Sequence, residues 1–209
     1  MKVTIVVSHP NHQSLTWSIC NTFKEGMKEV SAHIKFDVID LYKDGFSPVF
    51  QVADLEALAN EEPFSEQVLD YQKRIDAADA IVIVTPIYWW ALPAMMKGFF
   101  DRVFTTGWAY DVRVGGTSPR LRDRPTYILA LGATNPESYE RHGYKESFIK
   151  QLEYGIFSYC GIKSAKTNIF FQVISSELGG IDPSSHLKRA KNLGVSFANE
   201  ILEYRSTVV

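Results

Sequence analysis

The sequence predicts a doubly wound α/β domain, a five-stranded parallel sheet held between two layers of helices in a three-layer α/β/α sandwich. Two observations carry that expectation. Short apolar runs alternate with helix-length stretches along the whole chain, the β-α-β pattern that builds parallel sheets. The strongest run, AIVIV at 80–84, shows no polar alternation, as a strand buried on both faces requires. The 209 residues contain no repeat, low-complexity tract or compositional shift that would mark a linker, so residues 1–209 are expected to form one domain.

The elements follow in order. Val3 to Val7 is a β-branched strand, and a polar loop leads from it into a helix from about Ser14 to Val30. Ile34 to Leu41 is the second strand. An irregular segment with Gly45, Pro48 and Pro63 follows, then a helix from Glu66 to Ala77. Ala80 to Val84 is the third strand, and Ala94 to Phe104 an amphipathic helix. Residues 105–125 read as a long loop. Thr126 to Leu131 is the fourth strand. A loop with Pro136 and Gly143 precedes a helix of about Lys145 to Tyr159, which Gly161 ends. Ser164 to Val173 is the fifth strand. Asp182-Pro183 opens the last helix, to Glu203, as N-cap and first helical residue.

Composition narrows the function. Net charge is -2, so no general attraction to nucleic acid or an anionic membrane is expected. Cys20 and Cys160 are far apart in apolar helical patterns, without a CxxC or Cys/His cluster. They read as buried thiols in a reducing compartment, and no metal site is expected. No apolar run has the length to span a bilayer, and no targeting segment is evident at residue 1. The expected location is cytoplasmic, without membrane insertion.

In doubly wound sheets, ligands sit outside the carboxyl ends of the strands at the switch point. That directs attention to loops 8–14, 85–93 and 132–144, and to segment 105–125. The first loop, SHPNHQSLT, joins a strand to a helix N-terminus, where free N–H groups and the helix dipole suit an anion. His9, Ser14 and Thr16 add donors. Ser14 as a simple helix cap is the competing reading. His9 and His12 lack a third partner for a metal. Neither GxGxxG nor GxxxxGK[ST] occurs, which disfavours a dinucleotide fingerprint and a P-loop. The absence of GxSxG removes the hydrolase reading. The second loop, TPIYWWALP, places three large aromatics at a strand end, where they can line a slot for a flat ring system. Core packing accounts for at least one of them.

Together SHPNHQSLTWSI and TPIYWWALPAMMKGFFDRVF closely resemble the NAD(P)H:quinone oxidoreductase (DT-diaphorase-like) family of flavodoxin-like proteins, with the LPAxxKGFFDRVF tail at 92–104 the most specific part. The family's bacterial ancillary subunits of potassium-efflux systems are similar too. The resemblance runs from residue 1 to about 160.

It implies a flavin cofactor, FMN rather than FAD because the chain lacks the C-terminal extension of the larger members, with NAD(P)H as electron donor. His9, Ser14, Leu15 and Thr16 would hold the phosphate and ribityl chain, Leu15 through its backbone N–H. Pro86, Ile87, Tyr88, Trp89 and Trp90 would wrap the ring edge. Gly132, Ala133 and Thr134 would cover its polar end, with Tyr139 as a donor to reduced flavin. A family histidine that assists hydride transfer falls on Lys145 here, and His142 lies nearby out of register. Trp108 and Tyr110 resemble the wall of the acceptor pocket, contributed across a homodimer interface. The implied activity is two-electron, ping-pong reduction of a quinone or similar small acceptor. A redox-sensing subunit of a potassium-efflux transporter and a flavodoxin-type electron carrier are the alternatives. Arg113, Arg120, Arg122 and Arg124 either engage an NADPH phosphate or, as the plainer reading has it, form a solvated charged loop.

Overall fold

The computed structural model describes residues 1–59 and 62–208. Strands β1 (Lys2–Val7), β2 (Lys35–Asp40) and β3 (Ala80–Pro86) precede a two-stranded ribbon, β4 (Tyr110–Arg113) and β5 (Gly116–Pro119). β6 (Thr126–Leu131) and β7 (Ala165–Phe170) complete the set. The main sheet has the order β2-β1-β3-β6-β7, and all its pairs are parallel. The chain direction across the sheet reverses between β1 and β3. This is the flavodoxin-like arrangement, and its crevice lies at the carboxyl ends of those two strands.

Two apolar layers hold the helices on. α1 (Leu15–Val30) and α7 (Pro183–Val208) cover one face, where Ile19, Phe23, Met27, Phe197 and Ile201 pack on Val3, Ile5, Val82, Val84 and Leu129. These two helices touch backbone to backbone. A Cβ on Gly26 would lie 2.1 Å from the Lys191 carbonyl oxygen, and one on Gly194 2.1 Å from that of Phe23. α3 (Glu66–Asp76), α4 (Ala94–Val103) and α6 (Tyr144–Ile149) cover the other face through Val68, Tyr71, Phe99, Phe100 and Phe148. α6 continues as a π-helix from Lys150 to Ser158 and stops before Gly161, whose φ of +114° suits glycine.

The expected strands and long helices are all present, and three regions carry more structure than the sequence suggested. Segment 42–65 was expected to be irregular, yet contains α2 (Val52–Leu58). Its first turn is closed by the Gln51 N–H donating to Asp54 Oδ2 at 2.8 Å. Asp54 also forms a buried two-pronged pair with Arg102 of α4, whose guanidinium donates to the Ser47 carbonyl as well. Tertiary pairing therefore settles α2, where local propensity in seven residues does not. Segment 105–125 holds the β4–β5 ribbon, turned at Val114-Gly115. Residues 136–141 form α5 (Pro136–Arg141), with the Asn135 side chain accepting from the Ser138 N–H at 2.9 Å.

The arginines of 113–124 divide. Arg113 and Arg120 pair with Asp111 at the surface. Arg124 corrects the solvated-loop reading: it is 1 % exposed and donates to the carbonyls of Ile75 and Ala78 at the C-terminal end of α3. Burial and the neighbouring Arg122 bring it down to about 10. The helix dipole favours a cation there.

Two outcomes follow. Asp54→Ala leaves Arg102 buried without its partner, so urea denaturation is expected to show a loss of about 3–5 kcal/mol. A loss under about 1 kcal/mol would mean that the pair is solvated. Cys20 and Cys160 are buried, which pushes their thiols up to about 12 and about 11. Thiolate is the reactive form, so iodoacetamide at pH 8 is expected to leave both intact until denaturant is added. Mass spectrometry reads the result.

Candidate functional site

The crevice predicted by topology contains a cleft of about 280 Å³ lined by His9, Ser14, Leu15, Thr16, Pro86, Ile87, Tyr88, Leu131, Ala133 and Val173. A smaller cavity of about 130 Å³, lined by Ile87, Trp89, Trp90, Ala133, Thr134 and Tyr139, shares Ile87 and Ala133 with it. Together the two extend from the N-terminus of α1 to α5. No carboxylate lines either part among the described residues.

The α1 end is built for an anion. Leu15 and Thr16 open the helix, so their N–H groups have no intrahelical acceptor. Ser14 caps the helix by accepting from the Trp17 N–H at 3.4 Å, a long bond that leaves its own O–H free to donate. The two readings of Ser14 are thus compatible. His9 Nδ1 lies 3.1 Å from the backbone of Asn11, which leaves Nε2 for a ligand. The buried Ser8 hydroxyl, one residue earlier, makes no hydrogen bond among the described residues.

The other end depends on a strained turn. Tyr88 and Ala91 exchange backbone hydrogen bonds, both 3.0 Å, across a two-residue turn. Its central residues, Trp89 and Trp90, have φ of +50° and +63°. Positive φ at both positions is the type I′ pattern, which normally selects Asn-Gly. Bulky residues there cost of order 1–3 kcal/mol each, and such strain concentrates at functional sites. The turn divides the aromatics. Trp89 is 93 % exposed and Tyr88 half-exposed at the mouth. Trp90 turns inward, stacked on Tyr144 at 4.2 Å and edge-on to Tyr139 at 5.1 Å.

Tyr139 projects from α5 and is buried, with its hydroxyl against Gly132, where a Cβ would meet it at 2.4 Å. That hydroxyl makes no hydrogen bond among the described residues, and Tyr139 lines the smaller cavity. Burial pushes the phenol up to about 12, so it keeps its proton and remains a donor at neutral pH. The loop tyrosine of the sequence is therefore a buried wall of the site.

Other expected residues lie elsewhere. His142 is exposed at the end of α5, its ring 5.5 Å from Tyr144, and lines neither part of the cleft. Trp108 donates its indole N–H to Asp76 at 2.9 Å. Tyr110 packs on Tyr159 at 5.3 Å and lines a separate cleft of about 270 Å³. Within one chain these residues do not meet the 85–91 turn. Leu131 and Val173 line the cleft and escaped the sequence reading. Their only signal was position, at the carboxyl end of the fourth strand and just after the fifth.

The fold and this crevice define the class: the chain belongs to the flavodoxin-like fold family, whose model matches residues 1–191. Within that class it falls among NAD(P)H oxidoreductases of the quinone-reductase type, as the two loop motifs implied. It is 30 % identical over 201 residues to the ribosyldihydronicotinamide dehydrogenase-like protein traD of Penicillium crustosum, covering 83 % of this chain and 74 % of that one. An NAD(P)H oxidoreductase of Haemophilus influenzae is 29 % identical, with 81 % and 83 % covered. The NAD(P)H:quinone oxidoreductase structure from Methanothermobacter marburgensis superposes with a TM-score of 0.81 at 27 % identity, covering 93 % of this chain and 98 % of that one. An FMN-dependent NADH-azoreductase from Bacillus anthracis, solved with FMN, shares the fold at 19 % identity and a TM-score of 0.76, with 96 % and 98 % covered.

Gly132→Ala is expected to drive a methyl into the Tyr139 hydroxyl and weaken flavin binding about tenfold or more, since overpacking costs about 1–3 kcal/mol. Adding Tyr139→Phe removes the clashing oxygen, so the double variant is expected to bind about as Tyr139→Phe alone does and more tightly than Gly132→Ala. Fluorescence titration with FMN checks both, and a double variant as weak as the single would locate the strain elsewhere.

Proposed function

We propose that the protein is a flavin-dependent NAD(P)H oxidoreductase that reduces a quinone or a similar small acceptor by two electrons. The observation that carries this reading is the pair of adjoining cavities that share Ile87 and Ala133, with anion-binding groups at the α1 end and an aromatic wall with an unpartnered tyrosine hydroxyl at the other. That sequence of groups matches the phosphate, chain and ring of FMN. Ser14, Leu15, Thr16 and His9 would hold the phosphate end. Pro86, Ile87 and the 88–91 turn would flank the ring, and Ala133, Thr134 and Tyr139 would face its polar edge.

When bound, the flavin supplies the two-electron chemistry. The chain supplies position and charge. Tyr139, which is buried, and the backbone N–H groups of Ala133 and Thr134 would present donors where negative charge develops on the flavin. Gly132 permits this by letting the phenol pack directly against the backbone. Tyr88 and Trp89, standing at the mouth, offer an apolar surface for one flat guest at a time. NAD(P)H and acceptor therefore take turns there, which is ping-pong order. A second copy of the chain would bring Trp108 and Tyr110 to the mouth as a homodimer. His142, at the rim beside Tyr144, is the candidate proton source for the acceptor.

The first test is the visible spectrum of the purified protein incubated with FMN and then with NADPH in the absence of oxygen. Flavin bands that bleach and return on addition of a quinone are expected. Bands that NADPH and NADH leave unchanged would point to an electron carrier or a redox-sensing subunit. No bound flavin of either kind, FMN or FAD, would overturn the reading of 8–16 and 85–90.

A further inference from the structure

Outside the cleft, one cluster ties a buried carboxylate to the loop at the α1 end. Asp40 closes β2 and is 5 % exposed. Its Oδ1 accepts the N–H groups of Tyr42 and Lys43 at 3.2 and 3.1 Å. Its Oδ2 meets His12 Nε2 at 2.5 Å. His12 belongs to the 8–14 loop, and its ring lies 4.8 Å from that of Trp17. The Trp17 indole N–H donates to the His9 carbonyl at 3.3 Å. His9 lines the cleft, whereas His12 and Asp40 do not.

Asp40 lies level with Val7, the last residue before the 8–14 loop, so its bond to His12 ties that loop to the end of β2. His12 is the side chain that meets Asp40 among the described residues. Its ring also braces the turn from outside, through Trp17, against the backbone of His9.

We propose that His12 is a positioning residue for recognition of the flavin phosphate. Paired with Asp40 and packed on Trp17, it fixes the 8–14 loop that carries the seat. The proposal rests on the reading of residues 8–16 as that seat.

The test uses the full chain and two ligands that differ only by the phosphate, FMN and riboflavin, titrated by quenching of flavin fluorescence. The wild-type protein comes first. If it binds neither ligand, or both equally, the phosphate-seat reading itself fails. If it prefers FMN, His12→Ala is expected to weaken FMN about tenfold or more while moving riboflavin less than about threefold. Asp40→Asn, which weakens the bond to His12, is expected to lower the FMN preference in the same direction, and the double variant His12→Ala/Asp40→Asn to lose no more than His12→Ala alone, the coupling that a mutant cycle isolates. The His12 side chain is 56 % exposed, so its loss opens no core. If circular dichroism nevertheless shows His12→Ala unfolded, His12→Gln is titrated instead, with a loss of FMN preference again expected. Unchanged FMN affinity, or an equal loss for both ligands, would overturn the proposal. A double variant that loses the sum of both single losses would overturn the role of the Asp40 pair.

Discussion

Parallel pairing of β1 with β3 is the constraint on which the site depends. The pairs Val3↔Ala80 through Val7↔Val84 bring the ends of the two strands level. The chain leaves β1 toward α1 and leaves β3 through the 88–91 turn, and the two exits diverge to opposite faces. A crevice must open between them. Every group assigned to the ligand hangs from that gap: the N–H groups of α1 on one side, the aromatic turn on the other, and the end of β6 as the floor. β6 joins the same register through Ile81↔Thr126 to Pro86↔Leu131, which is why Leu131 and Ala133 fall beneath the cleft.

The crevice alone would be a generic anion pocket. What shapes it for a flat ring is the turn that follows β3. Two tryptophans in left-handed conformation would be unfavourable in an isolated hairpin. Here the Tyr88–Ala91 hydrogen bonds and the stacking of Trp90 on Tyr144 hold the turn, and α4 anchors its far end. The same stacking ties the 88–91 turn to α5 and α6. Tyr139, itself packed on Trp90 and on Phe171, is thereby held in the wall of the smaller cavity. Local strain and a buried aromatic cluster are two parts of one arrangement: the cluster offsets the strain, and the strain orients the cluster.

The anion end follows a different logic. Its donors are the first N–H groups of α1, the Ser14 hydroxyl and His9, and no arginine or lysine lines the cleft among the described residues. The seat therefore depends on how the 8–14 loop is held, which gives weight to the buried carboxylate at the end of the adjacent strand and to the histidine that meets it. The basic residues of 113–124 serve elsewhere: two pair with Asp111, and two close the end of α3.

The layered architecture was legible in the sequence because it rests on local signals. AIVIV at 80–84 and TYILAL at 126–131 are apolar on both faces, and only a central parallel strand uses such runs. The two loops were legible because strand-to-helix junctions are marked by an abrupt change from β-branched to polar residues, and their residue order is distinctive enough to carry a family resemblance. Hence twelve of the thirteen residues expected at the cofactor, all but Gly132, line the two cavities. The tertiary structure decided the rest. α2 exists because Asp54 meets Arg102, a partner 48 residues away. Tyr139 is a wall of the cavity because α5 folds it against Gly132, and Arg124 is a helix cap because it reaches α3. Burial, pairing and side-chain direction depend on distant partners, and a linear pattern of polarity does not encode who those partners are.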